Sequence, residues 1–446
     1  MSDLVARVRK VLPSVRQDLE DLVRIQSVGA DPPRRGEVQR SAEAVAKLLS
    51  EAGFGDVQIV SEDGAPAVIA RHPAPNGAPT VLLYAHHDVQ PEGDPSQWVS
   101  PPFEPIERDG RLYGRGSADD KAGIATHLAA FRAHNGQPPV GVTVFVEGEE
   151  ETGSPSLSRL LAAHKDALAA DVIVIADSDN WTVEIPALTV SLRGLADCIV
   201  EVATLDHGLH SGLWGGVVPD ALSVLVRLLA SLHDDDGNVA VEGLHEATAA
   251  DVDYPKDRVR EESGMLTGVI EIGSGSVPQR LWAKPAITVI GIDTTPIALS
   301  SNTLVPRARA KVSMRVAPGG DAGAHLEALT RHLEKHVPWG AQLTVTPGDV
   351  GQPYAIDASG PVYDAARAAF RQAWGSEPVD MGMGGSIPFI AEFAEAFPSA
   401  KILVTGVEDP GTQAHSINES LDLGVLERAA TAEALLLAKL APAARS

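Results

Sequence analysis

Four short segments of the chain carry closely spaced histidine or carboxylate side chains, three of them after apolar runs and one at the predicted start of a helix. They are Tyr84-Ala85-His86-His87-Asp88, Ala118-Asp119-Asp120-Lys121, Glu147-Gly148-Glu149-Glu150-Glu151 and Ala176-Asp177-Ser178-Asp179. Imidazole nitrogens and carboxylate oxygens are the ligand atoms that zinc-type divalent ions use in proteins. Three adjacent glutamates repel one another unless cations or solvent neutralise their charge, and a bound metal explains that segment more simply than loop polarity. The sequence therefore predicts a divalent-metal centre built from these segments.

Each segment also has an ordinary structural interpretation. A histidine near residue 86 could lie on a surface loop, and the glutamates of 147–151 could simply be solvated. The acidic pair at 119–120 could cap a helix. The glycines of 114–123 could form a phosphate loop, but the acidic pair would repel an anion and the Walker spacing is absent. Helix capping and metal binding therefore both remain open for this segment.

Two further acidic runs resemble calcium-binding loops. Asp177-Ser178-Asp179-Asn180 and Asp234-Asp235-Asp236-Gly237-Asn238 both contain closely spaced carboxylates. Neither has Gly at the sixth position or Glu at the twelfth position of the calcium loop. We interpret the second run as an exposed turn. In the first run, Asp177 is a better ligand candidate than Asp179, because it lies nearer the end of the apolar run.

A late histidine, His415 in Gly411-Thr412-Gln413-Ala414-His415-Ser416, could complete the ligand set. Two Asp, one Glu and two His suit two ions that share one carboxylate, separated by about 3.5–4 Å. Such a pair binds and deprotonates water and polarises a carbonyl group. A second glutamate beside the ligand would accept the proton from water and pass it to the leaving amine. This chemistry is metal-assisted hydrolysis of an amide.

The elements that must position these residues are predicted from the apolar runs. The predicted strands are Ala67–Ala70, Thr80–Ala85, Val140–Val146 and Val172–Ala176, and the helices between them are about Lys121–His134 and Ser156–Lys165. Strands that alternate with helices, and that are apolar on both faces, indicate an α/β fold with a mixed, largely parallel sheet flanked by helices. Ligand sites in such sheets lie beyond the carboxyl ends of the strands. The four segments could therefore converge in space.

After Leu192-Arg193-Gly194 the pattern changes. The predicted order is strand Asp197–Ala203, helix Asp220–His233, strand Ala286–Ile292, strand Ala308–Val316, helix His325–His336 and strand Gln342–Thr346. This β-α-β-β-α-β order is that of a ferredoxin-like α+β unit, with residues 234–284 as an insertion. A helix over 361–374, a strand over 401–407 and a terminal helix from Leu421 then resume the first pattern. We expect a catalytic domain over residues 1–193 and 356–446 and an inserted domain over 194–355.

Composition excludes several kinds of partner. The formal net charge of −24 argues against binding to a nucleic-acid backbone or to an anionic membrane, since both need a basic patch. Cys198 is the single cysteine, so an intramolecular disulfide and a cysteine-based metal cluster are both excluded. There is no apolar signal-peptide region and no run of about 20 apolar residues that could span a bilayer. We expect a cytoplasmic protein that binds neither nucleic acid nor membranes.

In their order along the chain, these motifs resemble those of the zinc metallopeptidase family that contains carnosine dipeptidase, bacterial dipeptidases, acetylornithine deacetylase and succinyl-diaminopimelate desuccinylase. The motifs are His86-His87-Asp88-Val89-Gln90-Pro91, Gly114-Arg115-Gly116 through Lys121, Glu147 through Ser154, Leu209-His210-Ser211-Gly212, Gly384-Gly385-Ser386-Ile387-Pro388 and Ala414-His415-Ser416. The resemblance covers essentially the whole chain and is closest to the dipeptidase branch. It implies a small peptide substrate, and it implies that the inserted domain acts as a lid and a dimerisation domain.

The resemblance also implies a role for each motif residue. Asp119 would bridge two divalent ions, His86 and Asp177 would complete the site of one ion, and Glu151 and His415 that of the other. The ions would be zinc, with manganese or cobalt as alternatives, because the ligand types separate these metals poorly. Glu150 would be the general base, and Asp88 would orient His86. His210 would reach the active site of the partner subunit of a homodimer and stabilise the oxyanion, while Asn302, Arg315 and Ser386 would bind the substrate carboxylate.

Some positions depart from the family pattern. Ala85 and Ala122 replace glycines that are common there, and His87 makes the choice of the ligand histidine ambiguous. Asp177, in place of Glu, resembles the members that act on dipeptides or free amino termini more than the carboxypeptidases. An N-acyl amino acid deacylase that uses the same site is the alternative function. A non-catalytic binding homologue is the third interpretation, and the complete set of ligands and base argues against it.

Overall fold

The computed structural model describes residues 2–75, 77–384 and 388–442 of the 446-residue chain. The chain folds into two compact units. The first unit consists of residues 1–190, 356–380 and 388–446, and the second consists of residues 191–355 and 381–387. None of the described helices is long and apolar enough to cross a membrane.

The strands and helices are numbered here in chain order. The strands are β1 (Asp56–Val60), β2 (Ala67–His72), β3 (Thr80–His86), β4 (Ile106–Arg108), β5 (Arg111–Tyr113), β6 (Gly141–Glu147), β7 (Val172–Ile175), β8 (Ala187–Leu192), β9 (Gly194–Ala203), β10 (Leu209–His210), β11 (Ala286–Asp293), β12 (Thr303–Leu304), β13 (Arg307–Val316), β14 (Gln342–Gly351), β15 (Tyr354–Ala355), β16 (Val379–Met383), β17 (Lys401–Val404) and β18 (Ser420–Asp422). The helices are α1 (Ser2–Val23), α2 (Arg35–Ala52), α3 (Lys121–Ala133), α4 (Leu157–Ala163), α5 (Lys165–Leu168), α6 (Ser211–Trp214), α7 (Ala221–Ala230), α8 (Lys256–Ser263), α9 (Ala322–His336), α10 (Pro361–Trp374), α11 (Pro388–Ala396) and α12 (Leu423–Lys439).

The sheet of the first unit is mixed, as predicted. Its strands run in the order β1-β2-β6-β3-β7-β17-β8. The central pairs β6–β3, β3–β7 and β7–β17 are parallel, whereas the outer pairs are antiparallel. Nearly every residue of β3, β6 and β7 is buried, because helices cover both faces of a parallel sheet. This arrangement brings the carboxyl ends of β3, β6 and β7 to one edge.

The second unit contains a four-stranded antiparallel sheet in the order β11-β13-β9-β14. Helices α7 and α9 pack against it, and the order along the chain is β-α-β-β-α-β, as the sequence pattern predicts. Alternate residues of β13 are buried, because one face of this sheet packs on the helices. The buried thiol of Cys198 lies in the core of this unit.

Several element boundaries differ from the sequence predictions. Helix α1 continues through Pro13, although proline usually breaks or kinks a helix. Pro13 is exposed, so the carbonyl group that loses its helical donor there can bind water instead. The helix predicted from Ser156 to Lys165 is two short helices, α4 and α5, and the terminal helix begins at Leu423, because Leu421 belongs to β18. The short edge strand β1 was not predicted from the sequence.

Candidate metal centre

The ends of three adjacent strands carry the acidic and histidine residues of the candidate site. His86 is the last residue of β3, and Asp177 follows the end of β7 by two residues. Beyond β6, Glu150 and Glu151 begin a single 3₁₀ turn. Because β6, β3 and β7 are neighbouring parallel strands, their carboxyl ends lie side by side. Residues far apart in sequence are thereby brought together.

Asp119 lies between two histidines. Its Oδ1 is 3.1 Å from Nε2 of His86, and its Oδ2 is 2.9 Å from Nε2 of His415. On the first side, Asp177 Oδ2 lies 3.9 Å from the same nitrogen of His86. On the other side, Glu151 Oε2 lies 3.3 Å from Nε2 of His415. The structure thus places two groups of possible ligands on either side of one shared carboxylate.

The neighbouring Asp120 has a different role. His86, Asp120 and Asp177 can also be grouped so that one ligand atom of each lies within 4.8 Å of the others. However, Asp120 Oδ2 accepts the backbone N–H of His86 at 3.1 Å, and its Oδ1 accepts that of Gly123 at 3.1 Å as the N-cap of α3. Both oxygens are therefore occupied by backbone donors. The capping interpretation is correct for Asp120, and Asp119 is the better candidate for the shared ligand.

The three adjacent glutamates have three different environments. Glu149 is structural, because its Oε1 accepts the backbone N–H of Ser156 at 2.7 Å and its Oε2 that of Ala65 at 2.9 Å. Glu151 Oε1 accepts the backbone N–H of Gln90 at 2.9 Å, and its Oε2 accepts the side-chain amide of Gln90 at 2.7 Å and lies 3.3 Å from Nε2 of His415. The carboxylate of Glu150 has no hydrogen-bond donor among the described residues. It is partly exposed, and its Oε2 lies 3.9 Å from Nε2 of the histidine at the end of β3.

Asp88 is fully buried and connects two of these segments. Its backbone carbonyl lies 3.1 Å from Nδ1 of His86, and its Oδ1 lies 3.4 Å from the same nitrogen. Oδ1 also accepts the backbone N–H of Glu150 at 3.2 Å, and Oδ2 accepts that of Glu151 at 3.1 Å. A hydrogen bond to one ring nitrogen fixes the tautomer that leaves the other nitrogen free for a metal. Asp88 therefore positions both a possible ligand and the turn that follows β6.

The orientation of His87 removes the ambiguity over the ligand histidine. His87 Nε2 donates a hydrogen bond to the carbonyl of Pro66 at 2.8 Å, and its ring lies against Gly148. Burial lowers the pKa of His87 to about 4, so this imidazole is neutral. His86, with its Nε2 toward the carboxylates, is the histidine of this pair that can bind a metal.

The protonation of the site indicates an excess of negative charge. Burial, with the neighbouring carboxylates Asp177, Glu151 and Asp119, raises the pKa of Glu150 to about 9 against the opposing effect of His86. Burial likewise raises the pKa of Asp177 to about 7. Burial and the repulsion between neighbouring carboxylates thus favour the protonated forms of both groups in the absence of metal.

The histidines of the site also hold protons. Hydrogen bonds with Asp119 and Glu151 raise the pKa of His415 to about 10. Burial opposes a positive charge on His86, but hydrogen bonds with Asp119 and Asp88 raise its pKa well above the usual value. Divalent cations could replace these protons, and the oxygen and nitrogen donors present are those that such ions bind. The donor set therefore fits a divalent-metal centre.

Three other residues implied by the resemblance, His210, Asn302 and Arg315, belong to the second unit. His210 is exposed in β10, and its Nδ1 accepts the backbone N–H of Gly212 at 3.1 Å. The carbonyl of Asn302 accepts the N–H of Ser211, which brings Asn302 close to His210. Arg315 is half-buried in β13, and Ser386 lies outside the described residues.

Sequence reasoning assigned no role to two fully buried residues beside the site. Arg115 Nη1 donates to Glu419 Oε2 at 2.7 Å, although 304 positions separate the two residues. In the sequence, Arg115 stands out only as part of a motif, and Glu419 only as an acidic residue four positions after His415. Neither position indicates that the two residues form a pair. No spacing rule connects positions so far apart.

Comparison with known proteins identifies related chains. The family described as peptidase family M20/M25/M40 matches residues 82–439. A cysteinylglycine-S-conjugate dipeptidase of Corynebacterium striatum is 35% identical over 428 residues, which are 94% of each chain. A Cys-Gly metallodipeptidase of Saccharomyces cerevisiae is 27% identical and covers 95% of this chain and 94% of its own. The crystal structure of human carnosine dipeptidase 1 is similar with a TM-score of 0.81 and 26% identity, over 99% of this chain and 98% of the other.

Proposed function

Because the chain belongs to peptidase family M20/M25/M40, we propose that it is a two-metal dipeptidase that hydrolyses the amide bond of small peptides. The observation that carries the proposal is the position of Asp119, with one carboxylate oxygen toward His86 and the other toward His415. A dipeptide is the proposed substrate because the related proteins are named for dipeptides.

In this proposal five side chains hold two ions. His86 and Asp177 would bind one ion, Glu151 and His415 would bind the other, and Asp119 would bind both. Zinc suits the mixture of imidazole and carboxylate ligands, and manganese and cobalt are alternatives. When bound, the ions would lower the pKa of a water molecule and polarise the carbonyl of the scissile bond.

Glu150 is the proposed general base. Its carboxylate oxygens accept no hydrogen bond from the described residues, and it directly precedes the proposed ligand Glu151, so it could accept a proton from the attacking water. The same carboxyl group would then deliver the proton to the nitrogen of the leaving amine. Asp88 holds the backbone N–H of Glu150 at 3.2 Å and so fixes the start of the segment that carries the base.

Three further residues are proposed to bind the substrate. Arg315, Asn302 and Ser386 offer the guanidinium, amide and hydroxyl groups that a substrate carboxylate needs. His210 would stabilise the oxyanion in the site of the other subunit of a homodimer. A cytoplasmic location accords with the single buried Cys198.

A matched set of substrates tests the proposal. The metal-supplemented protein is incubated with free dipeptides, with the same dipeptides N-acetylated, and with simple N-acyl amino acids, and the released amino acids are measured. Cleavage of the free dipeptides alone is expected. Cleavage of the acylated compounds alone would make the protein a deacylase with the same metal centre, and no cleavage of any compound would contradict the proposed chemistry.

A further inference from the structure

Arg115 and Glu419 form a buried ion pair beside the metal centre. The guanidinium Nη1 lies 2.7 Å from Glu419 Oε2, and the two side chains are 1% and 0% exposed. Burying two charges carries a large desolvation cost, which further hydrogen bonds must offset. The contacts of each partner therefore indicate what the pair holds in place.

Glu419 holds the backbone that leads into Asp119. Its Oε1 accepts the N–H of Ala118 at 3.0 Å and that of Asp119 itself at 3.2 Å. Its Oε2 accepts the N–H of Gly116 at 3.1 Å in addition to the guanidinium of Arg115. One carboxylate thus receives four donors, three of which belong to the backbone of residues 116–119. Charge-assisted hydrogen bonds of this kind are stronger than those of a neutral amide.

Arg115 holds the segment that carries His415. Its Nη2 donates to the carbonyl of Ser416 at 2.9 Å and lies 3.4 Å from the carbonyl of Pro91. Glu419 contributes to the same connection, because its carbonyl accepts the N–H of Gly114 at 3.0 Å. The ion pair therefore joins the segments that follow β3, precede α3 and precede β18.

The position of His415 depends on contacts of the neighbouring backbone. Its side chain is 60% exposed, so packing does not fix the ring. Its backbone has φ of 61°, in the left-handed region that a residue with a side chain rarely occupies. The segment around His415 must therefore be held by contacts other than those of its own side chain, and the carbonyl of Ser416 is the neighbouring group that Arg115 binds.

We propose that the Arg115–Glu419 pair is a positioning unit that sets the separation between Asp119 and His415. The inference rests on the proposed metal-binding roles of these two residues. Both side chains are buried, so the pair would act through the residues it holds and not by contact with the substrate. It would act by keeping the shared carboxylate and the exposed imidazole within reach of the same ion.

The test measures metal affinity in protein that has been stripped of metal. Glu419→Gln keeps the size of the side chain but replaces one acceptor oxygen by an NH₂ group that faces N–H donors. We expect its Zn²⁺ affinity, measured by competition with a chromophoric chelator, to fall roughly 10- to 100-fold, as for other residues that support metal ligands. Hydrogen exchange of the amides of residues 116–119 in the metal-free variant should be faster than in the wild type.

A second variant tests the other partner. Arg115→Lys keeps the positive charge, but a single ammonium group cannot reach Glu419, Ser416 and Pro91 together. Its Zn²⁺ affinity should also fall. If Glu419→Gln does not fold, Arg115→Lys alone tests the inference. Asp18→Asn is the control, because it breaks the ion pair with Arg132 near the other end of α3, about 16 Å from Lys121 along the helix. The control should bind Zn²⁺ as the wild type does.

The outcomes separate this inference from the proposed function. If both variants unfold at lower temperature but bind Zn²⁺ as tightly as the control, the pair is merely structural and the inference is wrong. If the wild type binds Zn²⁺ and Asp119→Asn does not, the proposed metal centre is supported, regardless of the results for Glu419→Gln and Arg115→Lys. If the wild type binds no divalent ion at all, the proposed metal centre and the inference fail together.

Discussion

The carboxylate of Asp88 accepts the backbone N–H of Glu150 at 3.2 Å, while the carbonyl of the same aspartate lies 3.1 Å from Nδ1 of His86. One buried residue thus sets the orientation of a proposed metal ligand and the position of the proposed general base. The ligand and the base come from the ends of two adjacent parallel strands, β3 and β6. A change at Asp88 should consequently disturb both at once.

Replacing Asp88 by Asn should lower kcat far more than it raises KM. The amide places an NH₂ group opposite the N–H of Glu150 or Glu151, and one of these hydrogen bonds must be lost. We expect kcat to fall roughly 10- to 100-fold, as for other residues that orient metal ligands. Steady-state kinetics with saturating metal measure the effect. Asp94→Asn, which alters an exposed turn, is the control, and an equal loss in both variants would contradict the prediction.

Replacing Glu150 by Gln should leave metal bound and nearly abolish hydrolysis. Glutamine has the same shape but cannot accept the proton of water, and a general base contributes roughly 100- to 10,000-fold to the rate. Turnover and metal content are measured on the same preparation. Glu427→Gln, at an exposed position that pairs with Arg9, should have wild-type activity. A Glu150→Gln protein with undiminished turnover would remove the proposed role.

The sequence predicts much of the fold because the apolar runs are distinctive. Strand β3 and helix α3 are predicted within one residue at each end, and for β3 the reason is that a strand buried on both faces has few polar residues. The pairing of the strands is harder to predict from the sequence than their positions. The antiparallel pairing of β2 with β6 was not predicted, because the sequence of one apolar strand does not indicate whether the neighbouring strand runs parallel or antiparallel to it.

Within the site, the sequence indicates which segments meet but not what each carboxylate does. Asp119 and Asp120 are adjacent and chemically identical, yet one faces two histidines and the other caps α3. Glu149 and Glu150 differ in the same way, because a backbone turn directs their side chains to different neighbours. These differences in role between adjacent carboxylates depend on the direction of each side chain and on contacts with residues far away in the sequence. The ion pair of Arg115 with Glu419, formed across 304 positions, is the extreme case.

Metal binding near neutral pH should release protons. In the absence of metal, hydrogen bonds to Asp119 and Glu151 raise the pKa of His415 to about 10, and burial raises the pKa of Asp177 to about 7. Both groups must lose their protons before they can bind a cation. Calorimetric titration with Zn²⁺ in two buffers of different ionisation enthalpy measures the protons released. Release should be smaller at a pH above the pKa of His415, and equal heats in both buffers at pH 7 would contradict the prediction.

His127 should stabilise the first unit in a pH-dependent manner. Its Nδ1 lies 2.9 Å from Glu433 Oε2, and its Nε2 donates to the carbonyl of Tyr84 at 3.0 Å. Burial opposes a positive charge here, but the charge of Glu433 and the hydrogen bond to it raise the pKa of His127 above 6.5. Because the folded state raises the pKa, the stabilisation is complete below the unfolded pKa. It is lost as the pH rises through the folded pKa.

Replacing His127 by Gln should therefore cost more free energy of unfolding at pH 6 than at pH 9. Loss of one partner of a buried ion pair costs about 3–5 kcal/mol, and this figure applies at the lower pH. Urea unfolding of metal-free protein at both values measures the difference. His207→Gln, at an exposed site, serves as the control. An equal cost of His127→Gln at pH 6 and pH 9 would show that the imidazole is not charged in the folded protein.

Mixing two inactive variants should restore activity if His210 serves the partner subunit. In a heterodimer of His210→Ala with Glu150→Gln, the site that keeps Glu150 receives His210 from the other subunit. Random exchange gives half of the dimers as heterodimers with one complete site each, so activity should recover to about a quarter of the wild-type value. Each variant alone is the control. If the mixture stays inactive although the subunits exchange, or if dilute monomers are fully active, His210 does not act across a subunit interface.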